Sequence, residues 1–401
     1  MTRLGKAAVD NRSRSRRTPA AAPGRVALLA GLVALAGGAS CSDVAGGSGD
    51  VGRVAWRARL TDRHTVVGWH GVPATDGHGF FFASDSGITA LEARTGRLSW
   101  SARLGDPLRD GAEEGRLVAR GGKLYASVRG ALYALDAATG AVRWRVDTPP
   151  VFGDAEIDAD DGAVYAAVGK ATVAAFDPAG GGALWTTDVG ADWDGGAIVG
   201  ITASRDTVYV AAVRAIAPAR GFRRGALFAL DRASGRLLWS WWGPDSTSAG
   251  AAPTVAGRLL LASDQVGGSF FAVDRFTVRE VWRVVGDRAS FGPSQAPVVG
   301  GDTAFVGSND RSVYAVDLAT GRVRWSVRSG SSIHHFALCG PLLLVNNQTI
   351  ALVDRRAHGV VTELTSPESE RTEGIPSSGF AVSGDTAFVA GSQLALAIRC
   401  R

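Results

Sequence analysis

Six tryptophans, Trp100, Trp144, Trp185, Trp239, Trp282 and Trp325, recur at intervals of 44, 41, 54, 43 and 43 residues. A chain of 401 residues would ordinarily be divided into two or three domains. A fixed period overrides that prior, because repeats of this size bury one continuous core by stacking on their neighbours. Each tryptophan closes a segment with short runs of Val, Leu, Phe and Tyr bounded by Gly and Asp. Examples are GKLYASVRGALYALDAATGAVRW (122–144) and GDTAFVGSNDRSVYAVDLATGRVRW (301–325). Such runs read as strands, no helical periodicity competes with them, and the period suits a four-stranded propeller blade.

The turn before each tryptophan has a mechanism. Asp136, Asp231 and Asp317 are placed to accept backbone N–H groups two residues on, and Gly140, Gly235 and Gly321 supply positive φ. Tryptophan four residues after that glycine lies in an outer strand, where it fills the wedge between blades and has an N–H to anchor it. A seventh copy, GPLLLVNNQTIALVDRRAHGVVTEL (340–364), has lost its tryptophan. An eighth, GDTAFVAGSQLALAIRCR (384–401), stops before its outer strand, and VAWRARL (54–60) supplies one with Trp56 in the repeat position. The expectation is an all-β, eight-bladed propeller over residues 52–401, four antiparallel strands per blade, with the N-terminal strand closing the C-terminal blade. Closure removes the sheet edges and apolar faces that an open ring exposes. Trp56, Trp100, Trp144, Trp185, Trp239, Trp282 and Trp325 are thereby assigned to the core, and the chain is expected to be a monomer.

The first 40 residues read as an export signal. Arg12, Arg14, Arg16, Arg17 and Arg25 precede the apolar run Val26–Ala36, and Gly37, Gly38, Ala39 and Ser40 lead to Cys41. The apolar run is too short to span a bilayer, which needs about 20 residues. The leader holds seven of the 43 basic residues and one of the 38 acidic ones, so the body is close to neutral. The overall basicity therefore gives no case for nucleic-acid binding.

The pattern A-x-D-x-x-T-G-x-x-x-W resembles the tryptophan-docking repeat of the pyrroloquinoline quinone (PQQ) enzymes and their non-enzymatic relatives, across the whole of residues 52–401. The leader resembles a bacterial lipobox, with Gly38 where Leu is usual, which implies lipidation of Cys41 after cleavage and a tether over residues 41–51. Two branches of the resemblance imply different functions. One is a lipid-anchored scaffold without a cofactor, on the outer face of the cell membrane or in a periplasm, binding envelope or exported proteins and touching membrane through its anchor alone. The other is a PQQ- and Ca²⁺-dependent dehydrogenase or ligand sensor working in the central funnel. Length, leader and the lack of an adjacent cysteine pair favour the scaffold.

Funnel-side candidates for the second branch are Glu114, Asp154, Asp194, Gln295 and His335, none within a recognised motif. His334 and His335 are neighbours in a strand, so their side chains point to opposite faces and do not share a metal. Cys339 and Cys400 end strands on one face of the ring, where export permits a disulfide. Strand spacing of about 4.8 Å makes that bond demanding, and the alternative is that both are apolar fillers. Trp69, Trp193, Trp241 and Trp242 fall outside the repeat, after outer strands. Trp193, Trp241 and Trp242 flank the fourth blade beside the insertion RAIAPARGFRR (214–224), expected to emerge as a loop. With Arg214, Arg220, Phe222, Arg223 and Arg224 they form the expected partner-binding patch, since interface hot spots favour aromatic residues with Arg. The alternative is that the tryptophans plug loops and the arginines are solvated.

Overall fold

The computed structural model describes residues 52–401 apart from 61–70, 85–86, 105–115, 129, 150–156, 191–196, 218–221, 245–249, 265–267, 286–295, 329–334, 347–348, 365–377 and 392–393. Cys41, Trp69, Glu114, Asp154, Trp193, Asp194, Arg220, Gln295 and His334 therefore lie outside the described residues. The chain forms eight four-stranded antiparallel sheets, the blades, numbered here from the N-terminus with strands A (inner) to D (outer). Blades 1 to 7 use consecutive strands. Blade 8 takes strands A to C from Phe380–Ser383, Thr386–Ala390 and Leu394–Arg399, and strand D from Val54–Arg59. The two ends of the propeller meet in that sheet, with Arg59 opposite Leu394 and the Gly52 N–H donating to Arg399 O at 2.7 Å. Antiparallel order puts the A–B and C–D turns on one face of the ring (the turn face) and the B–C and D–A connections on the other (the loop face).

Alternating apolar side chains of strands B and C pack between neighbouring blades, which gives a core in separate clusters, one per seam. Each repeat tryptophan serves its seam in the same way. Across the sheet it faces an alanine of strand C: Ala90 opposite Trp100, Ala134 opposite Trp144, Ala272 opposite Trp282 and Ala397 opposite Trp56. The small partner leaves room for the indole, which also meets an aromatic of strand B, Tyr125 lying 6.0 Å from Trp144 and Tyr165 6.0 Å from Trp185. For Trp56, Trp100, Trp144, Trp185 and Trp282 the indole N–H then crosses the seam to the next blade's C–D turn, Trp56 donating to Ala93 O at 2.8 Å and Trp100 to Ala137 O at 3.0 Å.

That crossing explains the glycine of the repeat. Gly140 has φ 72°, and a Cβ there would lie 2.4 Å from the Trp100 ring, so both backbone and space require glycine. Two turns depart from the rule. Val278 (φ 59°) and His358 (φ 55°) hold the same left-handed conformation with side chains attached. His358 stacks on Trp325 at 5.2 Å, whereas Val278 is β-branched and strained, at a cost of roughly 1–3 kcal/mol. The turn aspartates accept N–H groups at both the second and third following residues, as Asp136 does from Ala138 and Thr139. Hydrogen bonds from Arg143, Arg258 and Arg324 hold Asp136, Asp274 and Asp317 at pKa values of about 2.

The seam between blades 7 and 8 is built differently. Thr362 stands where the tryptophan would be, facing Leu352 instead of alanine, and Gly52 (φ 82°) abuts that leucine. In the same seam Cys339, ending strand A of blade 7, is disulfide-bonded to Cys400, just past strand C of blade 8, with Cα atoms 5.7 Å apart. Both cysteines are fully buried. In-sheet strand spacing, which made the bond look demanding, is not the relevant distance. The end of strand C leans onto the preceding blade, as every C–D turn does here.

Candidate functional site

The insertion of blade 4 is not a loop. Strands B and C run on as Thr207–Ala217 and Phe222–Asp231, 11 and 10 residues, and form a hairpin that continues the sheet on the loop face. The ladder pairs Arg214 with Arg224, Ala215 with Arg223 and, past a bulge, Ala217 with Phe222.

Two arginines directly opposite each other repel, which disfavours a hairpin unless other groups absorb the charge. Arg224 is engaged, its Nε donating to Gly243 O at 2.7 Å and its guanidinium lying 6.0 Å from the Trp242 ring centre. Arg214 is exposed, and among the described residues no carboxylate lies within salt-bridge distance of it. Trp241 and Trp242 belong to strand D itself, Leu237–Trp242, not to the connection after it. Both are half-buried. Trp241 packs 5.0 Å from Phe271 of blade 5, and Trp242 meets Phe228 edge-on at 5.9 Å. They brace the base of the hairpin rather than stand free beside it.

In the funnel, His335 opens strand A of blade 7 and is buried. Beside it in the ladder, Asn346 donates from Nδ2 to Ser378 O of blade 8 at 2.8 Å, a seam contact. Among the described residues no three His, Cys, Asp or Glu side chains converge as metal ligands. Of the other funnel candidates, Glu114, Asp154, Asp194 and Gln295 lie outside the described residues.

The turn face holds a polar cavity of about 410 Å³ between blades 2, 3 and 4. Asp158, Asp160 and Asp161 of blade 3 line it with Arg120, Arg205 and Arg232. Arg232 of blade 4 grips Asp160 through Nε and Nη2, both at 2.7 Å, and Arg120 of blade 2 reaches Asp161 at 2.9 Å. Burial opposes the charge on Asp160, yet Arg232 holds its pKa below the usual range. Tyr165 is pushed up to about 12 by burial and by Asp160. Burial also raises Asp158, whose Oδ2 accepts the Ala203 N–H of blade 4 at 2.7 Å. With its charges paired across two seams, the cluster works as a clasp. The sequence run Asp158–Ala159–Asp160–Asp161 marks it, although its arginines come from two other repeats.

No curated protein sequence matches the chain at a significant level. Among solved structures, BamB from Moraxella catarrhalis superposes with a TM-score of 0.62 at 18% identity, over 86% of this chain and 97% of that one. The computationally designed Ika8 protein gives 0.67 at 13% identity, over 85% and 98%. The quinohemoprotein alcohol dehydrogenase from Comamonas testosteroni gives 0.63 at 14%, over 86% and 76%. Identities this low show the fold and no more. The sequence profile described as "Outer membrane protein assembly factor BamB" matches residues 24–167 and 169–398. On that span, the chain belongs to the BamB-like family of PQQ-repeat β-propellers.

Proposed function

We propose that this chain is a lipid-anchored, extracytoplasmic scaffold, non-enzymatic, that holds a protein partner of the cell envelope against the hairpin of blade 4. The observation that carries the reading is the hairpin itself. It projects from an otherwise regular ring, pairs Arg214 with Arg224, and ends in Phe222 and Arg223. Aromatic residues with arginine on a braced element match the composition of interface hot spots, and the arginine pair favours an acidic partner surface. The Cys339–Cys400 bond supports export, since disulfides persist in oxidising compartments. Cys41 is the proposed lipidation site, with residues 42–51 as tether.

The test is cross-linking on intact cells, followed by purification of the chain with and without residues 214–224, the deleted segment being replaced by Asn-Gly. The expected result is loss of the cross-linked protein from the shortened chain, with its melting midpoint preserved. Recovery of the same partner from both chains would rule the hairpin out. Labelled palmitate incorporated into the wild type but not into Cys41→Ser tests the anchor separately.

A further inference from the structure

We infer that the turn face is a membrane-contact surface, on which Phe276 and the arginines around it engage an anionic bilayer. The inference rests on the lipid-anchored reading for its geometry. Residues 41–51 reach at most roughly 35 Å when extended. They join the ring at Gly52, which occupies a C–D turn position. The tether therefore enters the ring on the turn face, opposite the hairpin, and a lipid on Cys41 leaves that face within reach of the membrane.

The turn of blade 5 is the one built for such a contact. Its sequence is Asp274-Arg275-Phe276-Thr277-Val278, with an aromatic where the turns of blades 1 to 4, 6 and 7 have Arg94, Ala138, Ala179, Ala233, Ala319 and Arg356. Phe276 is 64% exposed, as high as any large apolar side chain described. It stands between two guanidiniums, Arg275 at 4.6 Å and Arg258 at 5.7 Å from the ring centre. Neither arginine is loose. Arg275 donates to Gly257 O at 2.8 Å and to the Tyr209 hydroxyl at 3.0 Å, and Arg258 pairs with Asp274. The ring is thus held outward, with a cationic collar, by backbone and side-chain contacts beneath it.

Away from the Asp158–Asp161 cluster, other turns repeat part of the pattern. Arg97–Leu98, Arg236–Leu237 and Arg322–Val323 are exposed at matching positions of three other turns, and Arg279 follows the strained Val278 in blade 5. The turn aspartates beside them are occupied by backbone N–H groups and by arginine, as at Asp317 with Arg324. An exposed aromatic ringed by arginine suits the headgroup boundary, where apolar burial and attraction to anionic lipid add.

The test uses the full chain carrying Cys41→Ser, which has no lipid of its own, floated with vesicles of phosphatidylcholine alone or with phosphatidylglycerol added. Binding is expected with the anionic vesicles at low ionic strength and should fall by about tenfold in Arg279→Glu. Phe276→Ser should weaken binding without changing its salt dependence. Arg328→Glu makes the same charge change at the loop-face end of strand D in blade 6 and should leave binding intact. Failure of the Cys41→Ser chain to float with anionic vesicles overturns the inference, as does an equal loss in Arg328→Glu. Retention by polyglutamate but not by vesicles points to a protein surface instead and also overturns it. Palmitate labelling of the wild type reports on the anchor independently, so the two readings fail separately.

Discussion

Seven seams of this ring are closed by an indole, and the eighth, between blades 7 and 8, is closed by a disulfide. The difference follows from connectivity. A docking tryptophan sits on an unbroken C–D turn of the next blade, and in five of the seven seams that turn offers a carbonyl for its N–H and a glycine beneath its ring. Blade 8 has no such turn, because its strand D comes from the other end of the chain and Arg399 stands where the turn aspartate would be. Leu352, Thr362 and Gly52 fill the space with aliphatic groups, and Cys339–Cys400 ties it. A repeated packing device is thus replaced where the repeat is interrupted by topology.

The largest separation between the two kinds of seam should come from Cys400→Ser. Opening a bond that spans 61 residues is expected to cost about 4 kcal/mol in the chain-entropy account, read as a lower guanidinium midpoint. Reductant should bring the wild type down to the variant. Trp144→Ala attacks an indole seam instead and should cost about 3 kcal/mol through cavity formation and the lost hydrogen bond to Pro178 O. That loss should be the same with and without reductant. If reductant destabilises Trp144→Ala no further, the two seams are not independent and the comparison breaks.

Converting one seam to the other's design is a finer probe. Thr362→Trp alone should destabilise by about 2 kcal/mol, because Leu352 fills the place where the other blades have alanine. Adding Leu352→Ala should recover most of that loss, since Gly52 already waits in the turn position. Smaller still, Val278→Gly should raise stability by about 1 kcal/mol by relieving a β-branched residue at φ 59°. Last comes acid. Asp136, Asp274 and Asp317 have folded pKa values of about 2, below the ordinary carboxylate value near 3.8. Their contribution is present above that ordinary value and is lost as pH falls from about 4 to about 2. Asp317→Asn should lower the neutral midpoint slightly and flatten this part of the acid-unfolding curve, the two chains converging near pH 2.

Much of the ring was legible because its grammar is local. Asp136, Gly140 and Trp144 lie within nine residues, and their roles follow from turn geometry and side-chain size. The count of eight and the identity of the closing strand followed from repetition. What was illegible depends on contacts between repeats. Trp241 and Trp242 looked like loop residues because the repeat motif ends at Trp239, but strand D runs three residues past its tryptophan, as in blades 2, 3 and 6, and pairs them with Leu227 and Ala226 in the seams. The Asp160–Arg232 clasp joins residues of two blades, and no spacing within one blade announces it. The exposure of Phe276 likewise depends on Arg258, which comes from a different turn.

The pairing of Val54–Arg59 with Leu394–Arg399 sets a clock. The strand that leaves the ribosome first among the ring's 32 must wait for the one made last, so the ring cannot be finished while any part of it is still being made. Contacts of such sequence separation form late and slowly. Cys400 lies just past that last strand, so its oxidation to Cys339 comes at the end of the same sequence of events. The bond is a seal applied when the circle is complete.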